Sequence, residues 1–195
     1  MDESIPNDVG IYTKGKGAIS THSGVMFDVF DPKPELVVRE DIIHALSNIC
    51  RFGGHVKKFY SVAQHSVYVA WEVEKLGGSK DCILAALWHD AGEAYVGDMC
   101  RPIKRHMPEY CALETKIKST IFQALNLPTE VDWNLIKHVD NLVCHTEAKV
   151  LMRDYATWAW GNLGFANIPL ARLSDAMRPE LANLFFDDHD KDLRP

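Results

Sequence analysis

The stretch of sequence that decides the fold is SVAQHSVYVAWEVEKLGG, residues 61–78. Ser61 is followed three positions later by Gln64, a capping-box pattern that predicts the first turn of a helix. Apolar residues then recur at helical spacing, and the pair Gly77-Gly78 predicts where the helix ends. The stretch therefore predicts an amphipathic helix that carries His65 in its first turn.

Similar start and stop signals divide the rest of the sequence into further helices. They predict helices over residues 40–52, 79–97, 108–125, 130 to about 158, and about 169 to 186. Residues 1–38 are rich in glycine and proline and predict an irregular segment, in which residues 21–30 could form a short hairpin or an irregular cap. Residues 187–195 predict a polar tail. The predicted fold class is all-α, a compact helical bundle that forms one domain over residues 1–195.

The composition of the 195-residue chain limits the classes of function. Its net charge of −6 disfavours a broad nucleic-acid-binding surface, which would need clustered lysine and arginine. No apolar run has the length of a membrane span, and the N-terminus lacks the apolar core of a signal sequence. The five cysteines form no C-x-x-C pair and leave one over in any disulfide scheme. These features predict a cytoplasmic protein without a membrane partner.

Two aspartates are predicted to lie on apolar helix faces. Asp140 shares its face with Ile136, Val143 and Cys144, and Asp90 has a similar apolar setting. A polar group that is buried without a partner costs roughly 2–7 kcal/mol, and a bare charge costs more. A hydrogen bond to a neighbouring helix is the simpler interpretation for either aspartate considered alone.

Two histidines change this interpretation. His65 and the doublet His89-Asp90 precede Asp140, and all four residues fall on predicted helices. A set of imidazole and carboxylate ligands suits Mn, Fe, Co, Ni or Zn better than Ca or Mg, which prefer oxygen alone. Structural zinc is disfavoured because no thiolate ligands are required. The sequence therefore predicts a divalent transition metal ion as cofactor.

Glu93 and Asp98 follow the doublet closely enough to reach the same site. Glu93 is predicted to lie one helical turn beyond His89, and Asp98 comes just after the predicted end of that helix. Metal-assisted hydrolysis needs an ion that acidifies water and a carboxylate that orients or deprotonates it. Considered singly, Glu93 fits a solvated helix charge and Asp98 fits an ordinary turn residue.

Three motifs make the interpretation more specific. They are CRFGGH (residues 50–55), SVAQHS (residues 61–66) and HDAGEAYVGD (residues 89–98). With Asp140, they resemble the HD-domain metal-dependent phosphohydrolases through nearly the whole helical part of the chain. More narrowly, they resemble the bacterial and phage subgroup that includes 5'-deoxynucleotidases and phage dATP triphosphohydrolases. The resemblance implies an HD-domain helical bundle, a deoxynucleotide substrate and a homo-oligomer.

The resemblance also implies roles for individual residues. It implies metal ligands at His65, His89, Asp90 and Asp140. It implies that Glu93 and Asp98 position or activate water and protonate the leaving oxygen, and that Arg51 holds phosphate or sugar. A tryptophan commonly follows this arginine in the bacterial 5'-nucleotidases, whereas Phe52 does so here, which leaves the sugar and base preference open.

Other polar residues near these motifs have weaker signals. Lys104 is a candidate contact for further phosphates, as are Lys57, Lys58, Arg101 and Arg105; exposed loop charges are the alternative for each. Glu147, two turns after Asp140, could orient a ligand or form an ordinary salt bridge.

Several functions fit these features. The leading hypothesis is hydrolysis of a dNMP to deoxynucleoside and phosphate, or of a dNTP to deoxynucleoside and triphosphate. Guanosine tetraphosphate hydrolases usually carry an acidic pair after the doublet, and Gly92-Glu93-Ala94 departs from that pattern. A non-catalytic helical module that keeps a metal for stability or partner binding is the alternative from another class, yet such a module has no need of Glu93 and Asp98.

Overall fold

A small hairpin and a set of helices make up residues 17–153, the part of the chain that the computed structural model describes. The hairpin pairs β1 (Ala18–Ser20) with β2 (Met26–Asp28) in antiparallel fashion, somewhat earlier in the chain than predicted. The α-helices within the described residues are α1 (Arg39–Asn48), α2 (Val62–Lys75), α3 (Lys80–Leu87), α4 (Glu93–Val96), α5 (Arg101–Lys104), α6 (Pro108–Ala124) and α7 (Trp133–Leu151). This architecture confirms the predicted all-α class with a small N-terminal segment. Residues 1–16, the predicted helix over residues 169–186 and the polar tail over residues 187–195 lie outside the described range.

Helix α2 runs through the middle of the core. It packs against α1, α3 and α7, and its Val69, Ala70 and Val73 are fully buried. Helix α7 adds Val139 and Val143 to the same core. Neither α2 nor any other helix of the described residues is long and apolar enough to cross a membrane. Because α2 and α7 pack together, polar side chains near their contact are held at fixed distances from one another.

Both ends of α2 follow the sequence prediction. The hydroxyl of Ser61 accepts a hydrogen bond from the backbone N–H of Gln64, whose side chain accepts one from the backbone N–H of Ser61. These reciprocal bonds satisfy N–H groups that have no partner inside the helix. After the helix, Gly77 has a φ of 82°, a left-handed conformation that glycine adopts without steric cost. His65 therefore lies in the first turn of α2, as predicted.

The predicted helix over residues 40–52 extends too far. Helix α1 ends earlier, and the backbone is extended at Cys50. Cys50 pairs with Ser61 in an isolated antiparallel bridge, which draws the chain out of the helix. The next residues form a separate 3-10 turn over Arg51–Gly54, in which Phe52 has a φ of 56°.

The predicted helix over residues 79–97 is broken in its middle. Helix α3 begins as predicted but gives way to turns, and α4 begins only at Glu93. The side chain of His89 donates from Nδ1 to the backbone carbonyl of Ala86 at 2.7 Å, the carbonyl that the N–H of Asp90 would need in a continuous helix. The prediction that Asp90 lies on a helix face, and that Glu93 follows His89 by one turn of the same helix, is therefore wrong.

Helix α7 begins later than predicted, whereas α6 matches the helix predicted over residues 108–125. Asp132 caps α7, in place of Thr129, which would cap a helix that begins at residue 130, and the Asp132 side chain accepts hydrogen bonds from two backbone N–H groups of the first turn. The backbone carbonyl of Thr129 instead accepts a bond from the indole Nε1 of Trp133. The helix ends at Leu151, before the predicted end near residue 158.

Asp41 fastens the hairpin to α1. Its two carboxylate oxygens accept hydrogen bonds from the backbone N–H and the hydroxyl of Ser23, at 2.7 and 2.8 Å. Beside this contact the rings of His22 and His44 stack with their centroids 3.7 Å apart. Burial acts to raise the pKa of Asp41, but hydrogen bonds from Thr21 and Ser23 outweigh it and lower that pKa. An ionised carboxylate therefore holds the hairpin in place.

Candidate metal centre

Three separate parts of the chain bring the predicted metal ligands together. Helix α2 supplies His65, α7 supplies Asp140, and the turn between α3 and α4 supplies His89 and Asp90. One ligand atom from each of His65, His89 and Asp140 lies within 4.8 Å of the others. Asp90 Oδ2 lies 3.2 Å from His89 Nε2 and 3.6 Å from His65 Nε2. This buried cluster could hold a metal ion, with Asp90 beside it.

Both histidines present the same ring nitrogen to the cluster. The Nδ1 of His89 donates to the carbonyl of Ala86, and the Nδ1 of His65 donates to Oε1 of Glu147 at 2.9 Å. Their Nε2 atoms are buried and have no hydrogen-bond partner among residues 17–153. A buried polar atom without a partner is costly, so these two atoms need something to bind. Together with the aspartate oxygens, they fit a cation that takes nitrogen and oxygen ligands.

The acidic and basic groups of the cluster shift one another's pKa. Burial and the Arg51 charge act to lower the pKa of His65, but Glu147 and Asp140 outweigh them and raise it to about 9. Burial acts to raise the pKa of Asp90 and of Asp140, yet the neighbouring histidines hold both below the usual range. Both aspartates are therefore ionised at neutral pH, the form that metal binding requires, whereas His65 holds a proton that a bound metal ion would have to displace.

Glu147 joins the cluster to Arg51. The carboxylate of Glu147 is fully buried and accepts two hydrogen bonds, from His65 Nδ1 at 2.9 Å and from Arg51 Nε at 3.0 Å. Burial opposes its ionisation, but the charges of His65 and Arg51 lower its pKa. Glu147 therefore orients a predicted metal ligand and forms a salt bridge at the same time, so both sequence interpretations apply.

Arg51 keeps its guanidinium at the edge of the cluster. The side chain is almost fully buried, with Nη1 lying 3.8 Å from Asp98 Oδ2 and 4.0 Å from Asp90 Oδ2. Burial acts to lower the pKa of Arg51, but Glu147 and the other carboxylates raise it well above its ordinary value. The ring of Phe52 lies beneath the guanidinium, 5.4 Å from it. Arg51 is thus a fixed positive charge held in one position.

Glu93 and Asp98 lie next to the metal-ligand cluster. Glu93 is only 4% exposed, and its Oε2 has no hydrogen-bond partner within the described part of the chain. Burial raises the pKa of Glu93, and the charges of Asp90 and Asp98 raise it further. Burial also raises the pKa of Asp98. The structure therefore brings groups that retain their protons unusually well next to ionised aspartates.

Two cavities adjoin the cluster and share part of its wall. The Arg51 cavity has a volume of about 570 Å³, and its walls include Arg51, Phe52, Glu93, Asp98, Met99 and Met152. The Trp133 cavity has a volume of about 420 Å³, and its walls include Glu114, Lys118, Trp133 and Ile136. Four residues line both cavities: Asp90, Lys104, Lys137 and Asp140. A ligand in either cavity therefore lies beside the candidate metal ligands.

Some of the lysines and arginines predicted to contact phosphates line the two cavities, and others do not. Lys104 lines both cavities, with Nζ 2.6 Å from Glu114 Oε1. Arg101 and Arg105 line the Arg51 cavity. The two remaining candidates, Lys57 and Lys58, line neither of the two cavities.

The sequence gives little signal for the Trp133 cavity. Lys118 and Trp133 have the pattern of ordinary half-exposed helix residues, and nothing in their spacing relates them to the doublet. Lys137 is the exception, because it precedes Asp140 by three positions and helical geometry places such pairs in contact. Its Nζ lies 2.6 Å from Asp140 Oδ2.

The fold and this cluster define an all-α protein with a buried site of histidine and carboxylate that could hold a metal ion. The chain is 38% identical over 136 residues to the uncharacterized protein YfdR of Escherichia coli K12, a match that covers 70% of this chain and 73% of YfdR. It is 32% identical over 135 residues to an uncharacterized protein of Rhodobacter capsulatus, covering 65% of this chain and 69% of that one. No protein-family model matches the sequence. The chain belongs to the same family as YfdR.

Proposed function

We propose that the protein is a metal-dependent phosphohydrolase of the HD type that acts on deoxyribonucleotides. The observation that carries the proposal is the pair of buried Nε2 atoms, of His65 and His89, which lack hydrogen-bond partners among the described residues and face Asp90 and Asp140. The aspartates that these atoms face, Asp90 and Asp140, line a cavity that also contains Arg51. The resemblance of the three sequence motifs to HD phosphohydrolases supports the same activity.

The proposed reaction begins with binding of the phosphate. A divalent cation held by His65, His89, Asp90 and Asp140 would acidify a water molecule and offset charge on the phosphorus oxygens. The guanidinium of Arg51 binds the phosphate, because its planar fork can donate to two oxygens at once. Its Nε donates to Glu147, and the Nη groups, one of which lies 3.8 Å from Asp98 Oδ2, remain at the cavity wall to donate to that phosphate.

Glu93 and Asp98 handle the protons in this proposal. The water oxygen forms a bond to phosphorus, and the bond between phosphorus and the 5' oxygen breaks. One carboxyl group takes a proton from water, and the other gives a proton to the 5' oxygen as it leaves. Both groups line the Arg51 cavity, so both can reach a phosphate bound there.

The Arg51 cavity is also the proposed place of the nucleoside. Phe52, Met99 and Met152 contribute apolar wall to it, and a base and sugar need such surface next to a few polar contacts. The same phosphorus–oxygen bond is cleaved in a monophosphate and a triphosphate. The released product is therefore either phosphate or triphosphate.

A nucleotide panel tests this function. The protein loaded with Mn or Co is incubated with each dNMP, each dNTP and guanosine tetraphosphate, and the release of phosphate and of triphosphate is measured. We expect deoxynucleoside to form, activity to be lost with a chelator, and activity to return when the metal is restored. Inactivity on every nucleotide with metal bound would contradict the proposal and would favour a non-catalytic module.

We also propose that the protein is a cytoplasmic homo-oligomer. All five cysteines lie within the described residues and are free thiols, which suits a reducing compartment. Light scattering coupled to size-exclusion chromatography measures the oligomeric state directly. A monomer at micromolar concentration would contradict the proposed assembly.

A further inference from the structure

The Trp133 cavity differs from the Arg51 cavity in the charge of its walls. Its walls carry three lysines, which are Lys104, Lys118 and Lys137. The carboxylates in the same walls are Glu114 and the two cluster aspartates. Once those aspartates are engaged as metal ligands, the positive charge of the cavity exceeds the negative charge. Such a cavity suits an anion.

Lys118 is the lysine whose charge faces this cavity without a carboxylate partner. Lys137 is paired with Asp140 and Lys104 is paired with Glu114, each at 2.6 Å. The Nζ of Lys118 lies 5.3 Å above the ring of Trp133, and no carboxylate of residues 17–153 lies within ion-pair distance of it. Because Lys118 is a half-buried residue of the cavity wall, a bound anion could replace part of the hydration of its ammonium.

We propose that the Trp133 cavity binds the second and third phosphates of a nucleoside triphosphate, which makes a triphosphate the preferred substrate. The inference rests on the proposed function, which places the first phosphate at the cluster beside Arg51. Asp90, Lys104 and Asp140 line both cavities, so a chain of phosphates that starts at the cluster continues directly into the Trp133 cavity. A monophosphate would leave the charge of Lys118 without an anion.

The chemical step is the same one that the proposed function requires. The water oxygen bonds to the first phosphorus, the bond to the 5' oxygen breaks, and that oxygen leaves with a proton from a carboxyl group. Inorganic triphosphate is then the product that occupies the Trp133 cavity. This product provides a simple probe, because its binding can be measured without any nucleoside.

Binding of inorganic tripolyphosphate and of orthophosphate to the metal-loaded protein is measured by calorimetry, with metal content checked after each titration. We expect tripolyphosphate to bind at least about tenfold more tightly, and Lys118→Met to weaken it about tenfold, the order of one charge-assisted contact. Lys80→Met is the matched control, because Lys80 is an exposed lysine at the start of α3 and lines neither cavity. Equal affinities for the two anions, or equal effects of the two substitutions, would overturn the inference.

Turnover separates this inference from the proposed function. We expect the ratio of kcat/KM for dATP to that for dAMP to fall about tenfold in Lys118→Met and to stay constant in Lys80→Met. If nucleotides are hydrolysed but this ratio does not change, the triphosphate inference is wrong and the phosphohydrolase proposal stands. If no nucleotide is hydrolysed while tripolyphosphate binding depends on Lys118, the proposed reaction is wrong and the anion site stands.

Discussion

The two walls of the candidate metal site are built in different ways. One wall belongs to the long helices α2 and α7, where His65 and Glu147 are fully buried. The other wall is the segment of residues 88–104, where short helices and turns carry His89, Asp90 and Glu93. The first wall fixes its groups by packing, whereas the second places carboxyl groups beside two cavities. We therefore expect substitutions at Glu147 and Asp140 in the first wall to act on stability and metal affinity, and substitution of Glu93 in the second wall to act on turnover.

The largest effect on stability is expected from Glu147→Ala in the first wall. The substitution leaves the buried groups of Arg51 and His65 without their carboxylate, and removal of one partner from a buried ion pair costs about 3–5 kcal/mol. Urea unfolding of the metal-free and metal-loaded protein measures the loss. Glu74→Ala, an exposed position on the same helix as His65, is the control. A loss of stability equal to that of Glu74→Ala would show that the buried carboxylate of Glu147 does not stabilise the first wall.

The largest effect on turnover is expected from Glu93→Gln in the second wall. The substitution keeps the shape of the side chain but removes its proton transfer, and loss of an acid or base typically lowers kcat about 10²–10⁴-fold. Metal content and the midpoint of thermal unfolding should stay close to those of the unsubstituted protein. Unchanged hydrolysis would exclude the catalytic role of Glu93, and loss of metal would instead make it a ligand or a support of the cluster.

Asp140→Ala is expected to remove the stabilisation that metal binding provides. At a free metal concentration about 100 times the dissociation constant, that stabilisation is about 2.7 kcal/mol. Unfolding with and without metal, together with measured metal content, gives the result. If the metal content stays constant in Asp140→Ala, Asp140 is not a metal ligand. His65 would then be the one proposed metal ligand that the first wall supplies.

The smallest effect is expected from Asp41→Asn, which lies in neither wall. It weakens the two hydrogen bonds from Ser23, a loss of about 1 kcal/mol at neutral pH, with metal content and turnover unchanged. Folding lowers the pKa of Asp41, so the ionised carboxylate contributes to the free energy of unfolding. This contribution is complete above the ordinary pKa of a carboxyl group and is lost as the pH falls through the lowered pKa. Stability measured from pH 7 down to pH 3 should therefore show the two proteins converging in acid. A difference in stability that stays constant from pH 7 to pH 3 would contradict the proposal that the ionised carboxylate of Asp41 holds the hairpin.

Local signals in the sequence account for the parts of the fold that were predicted correctly. The capping box of Ser61 and Gln64 needs only residues of one helical turn, so the sequence alone defines the start of α2. The apolar neighbours of Asp140 lie on its own helix, and the structure confirms that this aspartate is buried among them. His65 and Asp140, which lie in the long helices, could therefore be placed with the correct local structure.

Contacts between distant residues account for the parts that were predicted wrongly or not at all. The chain leaves the helix before Arg51 because Cys50 pairs with Ser61. The helix predicted around the doublet breaks because the ring of His89 takes a backbone acceptor. The bond between Arg51 and Glu147 joins positions 96 residues apart, which no periodicity reveals.

Phe52 carries a conformational cost that bears on how the site opens. Its φ of 56° lies in the left-handed region, where a residue with a side chain is less stable by roughly 1–2 kcal/mol. This cost favours relaxation of the turn to another conformation, and the hydrogen bond from Arg51 to Glu147 opposes that relaxation. Amide hydrogens in the turn over Arg51–Gly54 should therefore exchange with solvent sooner than those of α2, and an anion held by Arg51 should slow that exchange. Local opening of four residues would then report whether the proposed phosphate site is filled.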